Sequence, residues 1–210
     1  MKTLDTSGRS HDDRAFDEFL EEARDQVEVR VFLCGKGINP KVPLAKLAAR
    51  KADKRAYLWS RLEKEVSGCK VLLGEHDHLV AAYGQIFHKS SGKPRKINLA
   101  SFEATLARHV HLIVVFPESA GSFAELGLFA SPGGLPHKLF VIVEKHREKE
   151  KSFLNSFLAR GPIASVATER GSVRYFDYKD LDGMFQAIKK TVDKIAEKLT
   201  TERIFIRRDL

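Results

Sequence analysis

An uncharged apolar run at residues 112–116 (LIVVF) constrains the fold of this chain most strongly. The run is short and rich in β-branched residues, which is typical of a strand buried on both faces of a sheet. Pro117 ends the run because proline has no N–H for a strand ladder, and Gly121 allows a sharp bend. Ser122 is a suitable N-cap for an apolar helix over residues 123–130. The segment therefore predicts a strand, a tight loop and a helix.

Short apolar runs and helical patterns alternate along the rest of the chain. Further strands are predicted at Val29–Cys34, Cys69–Leu73, 138–143 and 173–176, and helices at 43–66, Leu99–His109 and 180–199. Such alternation is typical of an α/β fold, and it predicts a doubly wound, mostly parallel five-stranded sheet of the Rossmann-like kind. The sequence contains no internal repeat and no long linker, so residues 1–210 are expected to form a single domain.

The charge balance favours anionic partners. The formal net charge is +8, which suits nucleotides, nucleic acid or acidic protein surfaces. Part of the excess is a basic cluster of Arg50, Lys51, Lys54 and Arg55, a pattern that more often marks a solvated helix face than a binding site. No apolar run approaches the roughly 20 residues that span a bilayer, and the N-terminus has no apolar leader. We therefore expect a cytoplasmic protein without a membrane partner.

The two cysteines, Cys34 and Cys69, each border an apolar run. We interpret them as buried free thiols of a reducing cytoplasm. A single disulfide, or a nucleophilic cysteine, is the alternative.

Polar residues and glycines follow the predicted strands, where parallel α/β sheets bind their ligands. Gly35, Lys36 and Gly37 follow the first strand, and glycines there let backbone N–H groups approach a phosphate or a sugar. The segment matches neither GxGxxG nor a P-loop. Glu75 follows the second strand and precedes a single His-Asp-His cluster at 76–78, which is too little for a metal site. No metal and no cofactor are predicted.

The loop after residues 112–116 carries the acidic groups Glu118 and Glu125. One interpretation is structural, since Ser122 and Glu125 fit the S-x-x-E capping box. The other is catalytic. A carboxylate in the first turn of a helix is favoured in its ionised form by the helix dipole, and it can then attack an anomeric carbon. Retaining glycosidases use two carboxyl groups, so Glu118 is a candidate to orient the substrate or to handle protons.

Three stretches, residues 31–38, 116–130 and 137–163, carry a family resemblance. The segment FPESAGSFAELGLFA resembles the signature of the nucleoside 2-deoxyribosyltransferase superfamily, and the chain is especially similar to the N-terminal effector domain of retron anti-phage systems. The resemblance implies a homo-oligomer, and a regulatory nucleic-acid or protein partner within the defence system. The resemblance implies that Glu125 is the nucleophile, that Glu118 stands where the transferases commonly have an Asp that contacts the sugar, and that Gly35 lies in the loop that borders the nucleoside. Ser119 and Ser122 are candidates to bond a ribose hydroxyl or phosphate, and the further candidate substrate-binding residues are Lys36, Gly37, Glu75 and Gly121.

From these observations we expect an N-glycosidase that cleaves a nucleotide or NAD through Glu125 as a toxic defence effector. The Asn element with which the transferases complete a neighbouring site is not recognisable, which favours hydrolysis over base transfer. The alternative is a nucleotide-sensing or nucleic-acid-binding module without turnover. A LOG-type phosphoribohydrolase is a weaker candidate, because residues 132–134 (PGG) come after Glu125 rather than before it.

Overall fold

Five short strands form one parallel sheet. The computed structural model describes residues 24, 26–38, 42–51, 53–74, 99–131 and 133–208, without the side chains of 99 and 205–208. The strands are β1 (Val29–Cys34), β2 (Cys69–Leu73), β3 (Leu112–Val115), β4 (Leu139–Glu144) and β5 (Ser172–Phe176). Their order is β2-β1-β3-β4-β5 and every neighbouring pair is parallel. The predicted five-stranded α/β sheet is confirmed.

Helices connect the strands on both sides of the sheet. They are α1 (Leu44–Ala49), α2 (Lys54–Glu65), α3 (Leu99–His109), α4 (Ala120–Phe129), α5 (Lys151–Leu154), α6 (Ala164–Thr168) and α7 (Leu181–Arg208). Short 3-10 turns at Pro136–Lys138 and Lys145–Lys149 flank β4. Among the described residues, no helix is long and apolar enough to cross a membrane.

The side chains of alternate strand residues pack into two separate hydrophobic cores, one on each face of the sheet. Val29, Val31 and Leu33 of β1 face a core shared with α2 and α7, whereas Phe32 and Cys34 face a core shared with α3, α4 and α6. The strands β1, β3 and β4 are therefore buried on both faces, as their apolar sequences predict. Both cysteines are free and buried, which confirms the interpretation of Cys34 and Cys69 as free thiols.

The helix predicted at 43–66 is wrong as a single element. It is divided into α1 and α2, because α1 ends at Arg50 and Lys51 then adopts a left-handed backbone with φ of 52°. Asp53 starts α2 by accepting a hydrogen bond from the N–H of Ala56 at 2.9 Å. Pro43 is the N-cap of α1 rather than a residue of its first turn.

Two further boundaries differ from the sequence prediction. The last helix continues to Arg208 instead of ending at 199. Residues Ala159–Ile163, for which no helix was predicted, form a π-helical segment that contains Pro162 and leads into α6. A proline lacks the N–H that an α-helical ladder needs, so it is accommodated at this irregular turn.

Gly68, which directly precedes β2, lies close to the backbone that leads into β1. Its φ is 67°, and a Cβ added there would lie 2.3 Å from the carbonyl oxygen of Val27. Gly68→Ala is expected to lower the free energy of unfolding by about 2 kcal/mol or more, since both the backbone and the contact oppose a side chain. Urea denaturation measures the change. Gly127→Ala, where a Cβ meets nothing within 4 Å, is the control and should change stability by less than about 1 kcal/mol. Equal effects would contradict this account.

Candidate active site

A crevice opens at the carboxyl edge of the sheet, between β1 and β3. These strands are neighbours, and Cys34 pairs with Val115 at their ends. The chain leaves β1 toward α2 on one face and leaves β3 toward α4 on the other, as the two separate cores show. This is the topological switch point, at which doubly wound folds bind ligands. A cavity of about 340 Å³ lies there, lined by Phe32, Leu33, Gly35, Gly37, Arg55, Gly74, Glu103, Ser119, Gly121 and Glu125.

The loop between β3 and α4 is held by two serines. Ser119 is the N-cap of α4, and its hydroxyl oxygen accepts from the N–H of Ser122 at 3.2 Å. The Ser122 hydroxyl accepts from the N–H groups of Glu118 and Ser119 at 3.0 and 2.9 Å. Ser122 is 0% exposed and its hydroxyl stabilises the loop through these hydrogen bonds. Ser119 and Gly121 line the cavity.

The predicted capping box of Ser122 and Glu125 is therefore wrong. The box is formed by Ser119 and Ser122, and α4 begins three residues earlier than predicted, at Ala120 rather than Phe123. Glu125 consequently lies in the second turn of α4. The dipole argument made for it fails there, because the effect of the helix dipole fades after the first turn. Glu125 is not the capping residue, which removes the purely structural interpretation of its carboxylate.

Glu125 instead contacts the end of β1. The Cys34 thiol is hydrogen-bonded to the Glu125 carboxylate. Burial, and then the charge of Glu125, raise the pKa of Cys34 well above its ordinary value, so the thiol stays protonated and acts as a donor. A protonated thiol is a poor nucleophile, so the nucleophilic-cysteine alternative is not favoured for Cys34.

Arg55 joins α2 to the loop after β1. Its guanidinium donates to the carbonyl oxygens of Leu33 at 2.9 Å and Lys36 at 3.0 Å, and the residue is 3% exposed. A Cβ on Gly35 would lie only 2.9 Å from Arg55 Cδ, so glycine is needed for this close approach. Arg55 thus fixes the backbone of Gly35, Lys36 and Gly37 and brings a positive charge beside the carboxylates of the cavity.

The other predicted carboxylate, Glu118, is not among the residues that line this cavity, although its Oε1 would lie 3.5 Å from a Cβ on Gly35. Its Oε2 accepts from Lys54 Nζ at 2.5 Å and its Oε1 from the backbone N–H of Lys36 at 3.3 Å. The two side chains of the ion pair are 17% and 19% exposed. Glu118 and Lys36 line a neighbouring cavity, and Gly37 lines both. The structure therefore brings Glu125 together with Gly35, Gly37, Ser119 and Gly121, but not with Glu118 or Lys36.

A second carboxylate does line the Glu125 cavity. It belongs to Glu103 of α3, whose Oε1 would lie 3.5 Å from a Cβ on Gly74, at the end of β2. Sequence reasoning missed Glu103 because no motif surrounds it, and it missed Arg55 by assigning the basic cluster to a solvated helix face. The signal available for Arg55 was its place two residues after the Asp53 cap, next to the carboxyl end of β1.

Predictions that concern the end of β2 itself lie partly outside the described residues. Glu75 and the cluster at 76–78 are among those not described. Within the described part of the chain, no three His, Cys, Asp or Glu side chains are grouped so that they could hold a metal ion.

The cavity is chemically suited to a positive reaction centre. Among the described residues of the lining, Glu103 and Glu125 carry formal negative charges and Arg55 a positive one, so their balance is anionic. An anionic, partly enclosed site stabilises a cation such as an oxocarbenium-like transition state.

The buried Cys34 thiol predicts a specific pH dependence of stability. Its folded pKa is raised above the ordinary value of 9.0, so the thiol ionises only in the unfolded chain as the pH rises past 9. The Cys34 thiol therefore does not lower the free energy of unfolding below pH 9, and it lowers it progressively as the pH rises above 9. By pH 10 the wild type should have lost about 1.4 kcal/mol more than Cys34→Ala, relative to pH 8. Urea denaturation at both pH values measures this, and parallel pH profiles of the two proteins would contradict it.

Comparison with known proteins shows where the chain belongs. Residues 51–208 match the family model described as STM3845 retron effector protein. A protein of Escherichia coli named "Retron Ec73 putative ribosyltransferase/DNA-binding protein" is 28% identical over 176 residues, covering 80% of this chain and 49% of the relative. Another from the same organism, "Retron Ec86 putative ribosyltransferase/DNA-binding protein", is 43% identical over 58 residues, covering 28% of this chain and 19% of the relative.

The chain spans about half the length, or less, of these curated relatives. The resemblance to retron effectors is confirmed, whereas the wider transferase superfamily stays a prediction. Since the family model covers most of the chain, this protein belongs to the STM3845 retron effector family.

Proposed function

We propose that this retron effector is an N-glycosidase that cleaves the bond between base and ribose in a nucleotide or in NAD. The observation that carries the proposal is the place of Glu125: its carboxylate lines the cavity at the switch point and is hydrogen-bonded to the Cys34 thiol. Both relatives are named as ribosyltransferases, and such enzymes also break a bond at the anomeric carbon of ribose. That agreement supports the same bond as the target here.

In the proposed reaction Glu125 attacks C1′ of the ribose. The bond between a carboxylate oxygen and C1′ forms while the N-glycosidic bond breaks, and the bonding electron pair leaves with the base. Water then attacks C1′ and the bond between C1′ and the carboxylate oxygen breaks, giving a ribose phosphate from a nucleotide or ADP-ribose from NAD. The carboxylate is restored and the proton of the water is released. A cationic base such as nicotinamide leaves without a proton, whereas a purine needs a general acid.

The anionic balance of the cavity lowers the barrier, because positive charge develops on the sugar in the transition state. Glu103 is the one other carboxylate described in this cavity, so we assign it to activate the water or to bind the ribose hydroxyls. Gly35, Gly37 and Gly121 leave room for the sugar to approach the backbone. Glu118 contributes indirectly, by holding Lys54 and the loop after β1.

In a defence system this activity would deplete a nucleotide and halt the infected cell. The DNA-binding part of the relatives' names describes proteins of which the matched segments cover 49% and 19%, so it is not assigned to this chain. We retain a homo-oligomer, and a regulatory nucleic-acid or protein partner, as proposals from the family context.

Release of free base tests the proposal. Purified protein is incubated with NAD and separately with ribo- and deoxyribonucleotides, and the base is quantified by chromatography. Glu125→Gln is expected to lower kcat by roughly 10³-fold or more, because the nucleophile is lost. Glu103→Gln should lower kcat for NAD and for purine nucleotides alike, since activating the water and binding the ribose hydroxyls do not depend on the leaving base. Glu118→Gln should have the smallest effect of the three.

Equal base release by wild type and Glu125→Gln would contradict Glu125 as the nucleophile, and base release by neither protein would contradict the glycosidase. Tight nucleotide binding by both proteins without base release would favour the alternative, a nucleotide sensor without turnover.

A further inference from the structure

A second, larger cavity adjoins the Glu125 cavity. Its volume is about 660 Å³, and it is lined by Lys36, Gly37, Leu47, Lys51, Asp53, Lys54, Glu118, Tyr178, Lys179 and Leu181. We propose that this cavity, here called the lysine cavity, binds the phosphate groups of the substrate. The inference rests on the proposed function, and it narrows the substrate class to nucleotides with a phosphate chain rather than nucleosides.

The charge of the lysine cavity favours an anion. Lys36, Lys51, Lys54 and Lys179 are set against Asp53 and Glu118, so the formal balance is positive. The Asp53 carboxylate accepts a hydrogen bond from the N–H of Ala56 at the start of α2, and the Glu118 carboxylate accepts one from Lys54 Nζ. Both carboxylates therefore already have partners within the protein. Oxygen atoms of phosphate are the natural partners of lysine ammonium groups in such a site.

The backbone of Lys51 provides an independent observation. Lys51 follows the end of α1, donates its N–H to the carbonyl of Ala48 at 3.0 Å, and has φ of 52°. Glycine is preferred in this left-handed position, because any Cβ is strained there. Lys51 lines the cavity in this strained conformation, and its ammonium group lies 3.7 Å from Asp182 Oδ2 and 5.3 Å from the centre of the Tyr57 ring. A phosphate bound in the cavity would therefore share this ammonium group with Asp182.

The two cavities meet at Gly37, which lines both. A ribose held at Glu125 can therefore extend its 5′ substituent over the three-residue loop of Gly35, Lys36 and Gly37 into the lysine cavity. The base and sugar then lie in the anionic cavity and the phosphates in the cationic one. The cavity volume also lies within the range of roughly 300–1,000 Å³ that is usual for small-molecule sites.

The test measures binding of ADP, inorganic pyrophosphate and adenosine by isothermal titration calorimetry. Lys51→Gly combined with Lys179→Ala is expected to weaken ADP and pyrophosphate binding roughly tenfold or more, and to change adenosine binding less than about twofold. Added salt should weaken ADP binding more than adenosine binding. Substrates with phosphates should show a raised KM in the variant with little change in kcat.

Matched controls separate binding from folding. Arg170 also has a left-handed backbone, with φ of 63°, but it lies just before β5 begins, at the amino edge of the sheet. Both Arg170→Gly and Lys51→Gly should leave the melting temperature unchanged or raise it, while Lys51→Gly alone weakens ADP binding. Lys64→Ala, at the far end of α2, is the control for the loss of one charge.

Titration in the Glu125→Gln background separates this inference from the proposed function. Lysine-dependent ADP binding without base release by the wild type would uphold the phosphate site and reject the glycosidase. Base release together with ADP binding that the variant does not alter, or with no ADP binding at all, would overturn the phosphate site and leave the glycosidase standing.

Discussion

The site depends on one topological constraint, the departure of β1 and β3 toward opposite faces of the sheet. Neighbouring parallel strands that do so cannot both be covered at their carboxyl ends, and a crevice opens between them. Arg55 stabilises one wall by donating to Leu33 and Lys36, and the paired serines of the α4 cap stabilise the other. The backbone around Glu125 is thereby held before any ligand arrives, which is what transition-state stabilisation requires.

Strand positions could be predicted closely because the strands are short and mostly apolar. β1 and β2 begin and end at the predicted residues. The start of α4 could not be predicted, because Ser119 and Ser122 are both suitable caps, and the folded loop uses Ser119 as the cap while Ser122 accepts from the N–H of Glu118. The helix break at Lys51 could not be predicted either, because a lysine in the sequence does not indicate a left-handed backbone.

The sequence also could not show which carboxylates line the same cavity. Glu118 and Glu125 share a loop in the sequence, but the helical geometry of α4 and the ion pair to Lys54 direct them into different cavities. Glu103 reaches the Glu125 cavity from a separate helix, and only the folded topology reveals that contact. The result is a site with an anionic cavity beside a cationic one, which fits a substrate whose charge is divided in the same way.

Trapping of the glycosyl ester tests the central assignment most directly. Wild-type protein is quenched with acid during turnover, digested and analysed by mass spectrometry. The account predicts that the peptide containing Glu125 gains the mass of the glycosyl group, and that the released sugar retains its anomeric configuration. A sugar product of inverted configuration without any adduct, or an adduct on Glu103 or Glu118, would contradict Glu125 as the nucleophile.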